Sequence, residues 1–167
     1  MLFDRVEAQA RSSPTDSWVN IYRDDQKTPH DEERCRDRII EMLQQHERDI
    51  CFSPEKHLGL DREGDIACEI SGLHLPVEVK GQWHDDLWTA ADAQLAAQQA
   101  IDHRAGGYGI YLVLWFGSFG KPLKGPPKRL GIGLPQSPSE LAAALTQASK
   151  AAREGQVVVR VLDLSRG

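Results

Sequence analysis

Two acids and a lysine, Asp65, Glu78 and Lys80, stand where a strand hairpin could bring them together as a reactive group. Glu78-Val79-Lys80 closes a run, Leu73 to Lys80, in which apolar and polar residues alternate. In a strand such alternation puts Leu75, Val77 and Val79 on one face and Glu78 and Lys80 on the other. A second alternating run, Asp65 to Ile70, precedes it, and Ser71-Gly72 between them is a turn signal. The two runs therefore predict a hairpin. A symmetric turn pairs residues whose numbers sum to 143, so Asp65 falls opposite Glu78. Directly opposed residues have Cβ atoms about 4.5–5.5 Å apart. Facing carboxylates repel, and a cation between them removes the cost. Removing either acid should then leave stability level or raise it. Hard oxygen donors at this spacing suit Mg²⁺, with Mn²⁺ able to substitute. Such an ion polarises a phosphoryl oxygen and acidifies a bound water, and Lys80 is placed to orient that water or offset charge.

Taken alone, an acid two residues before a lysine says little. At roughly 6% for each residue type, a chain of this length holds about 0.6 such matches by chance. Asp25-Gln26-Lys27 has a similar look but sits in a polar segment with no strand around it. On spacing alone, a solvent-facing hairpin with ordinary surface charges stays open as the plain alternative.

Other elements must position the hairpin. Residues 1–30 are polar, with Pro14, Pro29 and the run Arg23-Asp24-Asp25-Gln26-Lys27. They read as an arm or linker remnant, with Val6 and Ala10 hinting at a short helix. From Asp31 to about Arg48, Cys35, Ile39, Ile40 and Leu43 make one apolar helical face, with acids in the first turn. A short strand is expected at Ile50 to Phe52. After the hairpin, Asp85 to about His103 predicts an Ala- and Gln-rich helix, stopped by Gly106-Gly107. Tyr108 to Phe116 is apolar almost throughout and suits a central strand covered on both faces. A Gly/Pro-rich loop follows, Gly117 to Pro138. Then come a helix, Pro138 to Arg153, and a last strand, Val157 to Leu164. The order implies an α/β domain over residues 31–167, a mixed sheet flanked by helices.

Composition narrows the functional class. The 167 residues carry 20 basic and 25 acidic side chains, a net charge of −5. That argues against a protein that coats nucleic acid, yet not against an enzyme whose acidic site is filled by a cation. Cys35, Cys51 and Cys68 are odd in number and form no metal-binding or disulfide pattern, and Cys35 and Cys68 fall at core positions. No apolar run approaches the ~20 residues that span a bilayer. The start Met1-Leu2-Phe3-Asp4-Arg5 lacks a signal-peptide layout. The expected location is cytoplasmic, with no membrane partner.

Four segments together carry a resemblance. Gly64-Asp65-Ile66, the stretch Pro76 to Gly81, the helix with Gln94-Leu95, and the strand Gly109 to Phe116 resemble the PD-(D/E)XK nuclease superfamily. The resemblance covers roughly residues 31–116. It implies a restriction-endonuclease-like core of αβββαβ order, with the site on the hairpin. Carried over, Asp65 matches the first acid, Glu78 the second and Lys80 the lysine. Members often add an acid from the first helix, for which Glu33 fits best and Glu32 competes. Gln94 matches a glutamine that some members carry. Gly64 stands where many members have proline. The stretch Glu78 to Trp88 also resembles nuclease-like domains attached to bacterial NACHT-type defence ATPases. That implies an effector module working with a larger sensor ATPase or fused to further domains.

The function expected from this is Mg²⁺-dependent hydrolysis of DNA, as an endonuclease. Asp65, Glu78 and the Val79 carbonyl would hold the metal, with Glu33 assisting. Between Gly117 and Arg129 stand Lys121, Lys124, Lys128 and Arg129 and no acid, a set suited to phosphate contact. Trp83 and Trp88 flank the next helix start, where buried packing is the commoner role for tryptophan. His84 is a further candidate base, and the other histidines read as surface residues. The rival reading is an inactive module of the same fold that binds nucleic acid or a protein. A third is a small-molecule enzyme using paired carboxylates. Homo-oligomerisation is left open.

Overall fold

A computed structural model of the chain describes residues 2–12, 21–25, 27–54, 66–95, 107–119 and 121–166, with Ser12, Gln94 and Leu95 described by backbone alone. It is an α/β structure. Five strands form one mixed sheet in the order β1-β2-β3-β4-β5. They are β1 Cys51–Pro54, β2 Ile66–Ile70, β3 Leu73–Gly81, β4 Gly109–Trp115 and β5 Val157–Asp163. The β1–β2 and β2–β3 pairs are antiparallel, and the β3–β4 and β4–β5 pairs are parallel. Thus β3 is interior, antiparallel to β2 on one edge and parallel to β4 on the other.

The β2–β3 register is the one expected from the turn, with Ile66 opposite Val77 and Ile70 opposite Leu73. Ser71 and Gly72 have φ of 49° and 84°. Both central residues in left-handed backbone make the tight turn whose twist matches paired strands. Gly72 adopts this freely, and Ser71 is the position that bears the cost.

Helices cover both faces. Helices α1 (Leu2–Ser12) and α2 (Glu32–His46) lie on one side. Val6, Ala10, Cys35, Ile39 and Leu43 pack there against Val77, Val79, Leu112 and Leu114. The other side is covered by the turns from Asp85, a π-helical turn at Ala91–Leu95, α3 (Pro138–Ala148) and α4 (Lys150–Arg153). Leu87, Trp88, Leu141 and Leu145 pack there against Tyr111, Val113 and Trp115. Strand β4 is buried on both faces, as its apolar run predicts.

Several expectations are corrected. The supposed arm contributes to the core, because Val6, Ala10, Ile21 and Tyr22 are all buried, and Tyr22 Oη donates to Leu164 O at 2.8 Å. The helix expected over 138–153 breaks at Ser149, whose backbone is extended. Its Oγ donates to Asp92, 57 residues away, and accepts from Ala152 N, so a tertiary partner restarts the helix. From Asp85 the described chain makes turns and then a π-helical turn rather than a regular helix, and the remainder of that expected helix lies outside the described residues. His74, expected at the surface, is buried in β3. Among the described residues no helix is long and apolar enough to cross a membrane.

Candidate active site

Strand β3 holds the candidate residues on one face because alternation divides it cleanly. Val77 and Val79 join the core under α1 and α2, while Glu78 and Lys80 pair with Tyr111 and Val113 of the opposite core. Glu78 and Lys80 therefore share a face. Glu78 is 1% exposed and Lys80 7%, and Lys80 Nζ lies 2.6 Å from Glu78 Oε1. Removing two charges from water costs several kcal/mol per ion before their attraction returns any of it. Burying this pair on β3 carries a cost that packing alone does not require.

The first helix reaches the same strand end. Asp31 caps α2, its carboxylate accepting from Arg34 N at 2.9 Å, and that hydrogen bond holds its pKa below the usual value. The cap orients the first turn, and Glu32 Oε1 accepts from Gly81 N at 2.8 Å. Glu33 points elsewhere. Its side chain is 77% exposed, and it lies 3.5 Å from Arg36 on the helix surface. The helix acid that approaches β3 is therefore Glu32, the competitor, because neighbouring residues on a helix point about 100° apart.

His84 completes this corner. Its backbone N donates to Gly81 O at 2.9 Å, and its Nδ1 accepts from Asp86 N at 3.1 Å. Its Nε2 lies on the Glu32 side, 3.9 Å from Oε2. That separation is longer than a hydrogen bond, so the ring stands beside the acid without donating to this oxygen.

The basic loop is tied to the strand. Trp83 is half-buried, tilted against Phe116 with ring centroids 5.4 Å apart, and Lys121 Nζ lies 4.8 Å over its ring. Trp88 is buried, and its Nε1 donates to Lys124 O at 2.9 Å. The Lys124 ammonium pairs with Asp85, whose carboxyl it holds below the usual range. Lys128 and Arg129 stand exposed in the short 3-10 turn Lys128–Leu130.

Asp65 lies outside the described residues, and so does the side chain of Gln94 in its π-helical turn. Among the described residues no three His, Cys, Asp or Glu side chains form a group that could hold a metal. Gln82 is the residue that sequence reading missed. It is fully buried, with both side-chain ends hydrogen-bonded to backbone. No spacing in the sequence marks it, since a glutamine after a strand is most often a surface residue.

Comparison of the chain with protein-family models, curated proteins and solved structures gives no match.

Proposed function

We propose that the chain is a divalent-metal-dependent endonuclease acting on DNA, with a restriction-endonuclease-like core. The observation that carries this reading is the buried Glu78–Lys80 pair on the interior strand, joined at the strand end by Glu32. A hydrolytic phosphodiesterase needs an acid that can hold a cation, an ammonium next to it, and basic groups for phosphate nearby. Glu78, Lys80 and the loop with Lys121 and Lys124 are candidates for those three parts. The described hairpin keeps the register from which the sequence pairs Asp65 with Glu78.

Carboxylate and carbonyl oxygens are the donor set that Mg²⁺ prefers, and it needs only one or two carboxylates from the protein. Asp65, Glu78 and the Val79 carbonyl are the proposed ligands, with Glu32 in the assisting role first given to Glu33. When bound, the ion supplies Lewis-acid polarisation of the phosphate and a more acidic water. Lys80 holds the attacking water or offsets the charge that develops on phosphate oxygens. Lys121, Lys124, Lys128 and Arg129 grip the backbone. In a cell such a module fits a defence effector governed by a larger sensor ATPase.

Plasmid cleavage tests the reading. Wild type should cut DNA with Mg²⁺ or Mn²⁺ and stop with a chelator, and Lys80→Ala should lose cleavage. Failure of wild type to bind Mn²⁺ in titration and to cut any plasmid would overturn it in favour of a binding module.

A further inference from the structure

We propose that Gln82 is a positioning residue. It fixes the loop bearing Lys121 and Lys124 to the end of the strand bearing Glu78 and Lys80, so that phosphate-gripping and hydrolytic groups form one rigid body. The substrate side of this inference rests on the nuclease reading, and the strut itself rests on geometry.

Gln82 directly follows β3 and is 0% exposed. Its Oε1 accepts from Phe116 N at 2.7 Å. Its Nε2 donates to Gly117 O and to Lys121 O, each at 2.9 Å. Its backbone N donates to Leu114 O at 3.0 Å, and its backbone O accepts from Lys124 N at 2.8 Å. One residue thus holds the end of β4, the turn at Gly117 and two points of the basic loop. Gly117 has φ of 63°, so the chain turns sharply away from the sheet there and has no ladder to continue.

An apolar side chain of the same size would fill the space equally well. It could not satisfy two loop carbonyls and an amide, whose buried orphaning is costly. What Gln82 adds over packing is therefore a grip on loop backbone. Three further contacts act in the same sense. Lys121 rests over Trp83, Trp88 Nε1 bonds Lys124 O, and Lys124 pairs with Asp85. Surface loops are normally among the more mobile parts of a fold. A loop tied down in this way presents its cations in a set place, which removes an ordering cost on binding.

Gln82→Glu is the informative variant. It keeps an acceptor for Phe116 N but loses both Nε2 donors and sets a carboxylate against two carbonyl oxygens. Three measurements apply to the full chain: amide hydrogen exchange, binding of a fluorescent DNA duplex without divalent metal, and the same binding in a Lys121→Gln/Lys124→Gln background. Amides of 117–119, 121, 123 and 124 should exchange faster by on the order of tenfold while those of β4 hold. DNA binding should weaken on the order of tenfold, with the salt slope falling by up to about two. In the lysine-deficient background Gln82→Glu should cause no further loss. Unchanged loop exchange would overturn the strut. An equal loss in both backgrounds would overturn its action through the lysines. Wild type that neither binds this duplex nor cuts plasmid with Mg²⁺ or Mn²⁺ would overturn the nuclease reading instead, while the exchange result would still decide the strut.

Discussion

Glu32 Oε1 accepts the amide hydrogen of Gly81 at 2.8 Å, joining the first turn of α2 to the end of the strand that carries Glu78 and Lys80. This carboxylate is the one the helix offers to the candidate site. Glu32→Ala should lower cleavage on the order of tenfold or more. Glu33→Ala should leave cleavage within about twofold and stability within about 0.5 kcal/mol, since Glu33 is an exposed side chain with a surface ion pair. Equal loss in the two variants, measured on one plasmid substrate, would return the role to the helix surface.

The buried ion pair changes the expected stability of Glu78 variants. Carboxylate repulsion alone predicts that removing Glu78 is harmless. With Lys80 Nζ 2.6 Å away, removal deprives a buried ammonium of the carboxylate it pairs with. Glu78→Met should cost about 3–5 kcal/mol, and Glu78→Met/Lys80→Met should cost less than that single change. Urea unfolding of the single variants and the pair measures this. Additive losses would mean that the two groups do not stabilise each other.

Asp92 links the π-helical turn to α4. It accepts from Ser149 Oγ at 2.7 Å, Ala151 N at 2.9 Å and Lys150 N at 3.1 Å. Burial pushes its pKa up, but these hydrogen bonds outweigh that and hold it below the ordinary 3.8. A lowered folded pKa means stabilisation that is present above the ordinary value and lost as pH falls through the folded one. Asp92→Ala should cost about 0.5–2 kcal/mol near neutral pH. The gap from wild type should close only below about pH 3.8, the ordinary carboxyl value. Thermal melts across acid pH check the sign, and a gap that widens on acidification would contradict it.

Gly81 has no room for a side chain. A Cβ there would stand 2.6 Å from Cζ2 of Trp83. Gly81→Ala should displace the Trp83 ring from Phe116 and from Lys121, at about 1–3 kcal/mol. The tryptophan emission spectrum should shift with it. An unshifted spectrum with full stability would show that the ring is not held against the strand.

The three thiols should react unequally. Cys51 is exposed, whereas burial pushes Cys35 up to about 12 and Cys68 up to about 11. A thiol reagent should label one cysteine quickly in the native protein, and Cys51→Ser should abolish that phase. Fast labelling of two or three thiols would mean that the cores around Cys35 or Cys68 open readily.

The features legible in the sequence are local. Ser71-Gly72 and the alternation on either side decide the β2–β3 register, because a tight turn and a period of two leave one pairing that buries the apolar face. The same alternation brings Glu78 and Lys80 to one face, and the apolar run at 109–115 makes β4 a strand covered on both sides. The rest depends on how distant elements dock. Glu32 and Glu33 are equally good first-turn acids, and only the angle at which α2 meets β3 selects Glu32. Residues 138–153 are strong helix formers, and the break at Ser149 comes from Asp92 on another element. Residues 2–12 hint at a short helix in a polar segment, yet whether it joins the core is decided only when α2 and β5 supply a surface that buries Val6 and Ala10. Gln82 shows the same limit. Its five hydrogen bonds join residues 32 to 42 positions away, and pairing at that range is set by chain packing rather than by spacing in the sequence.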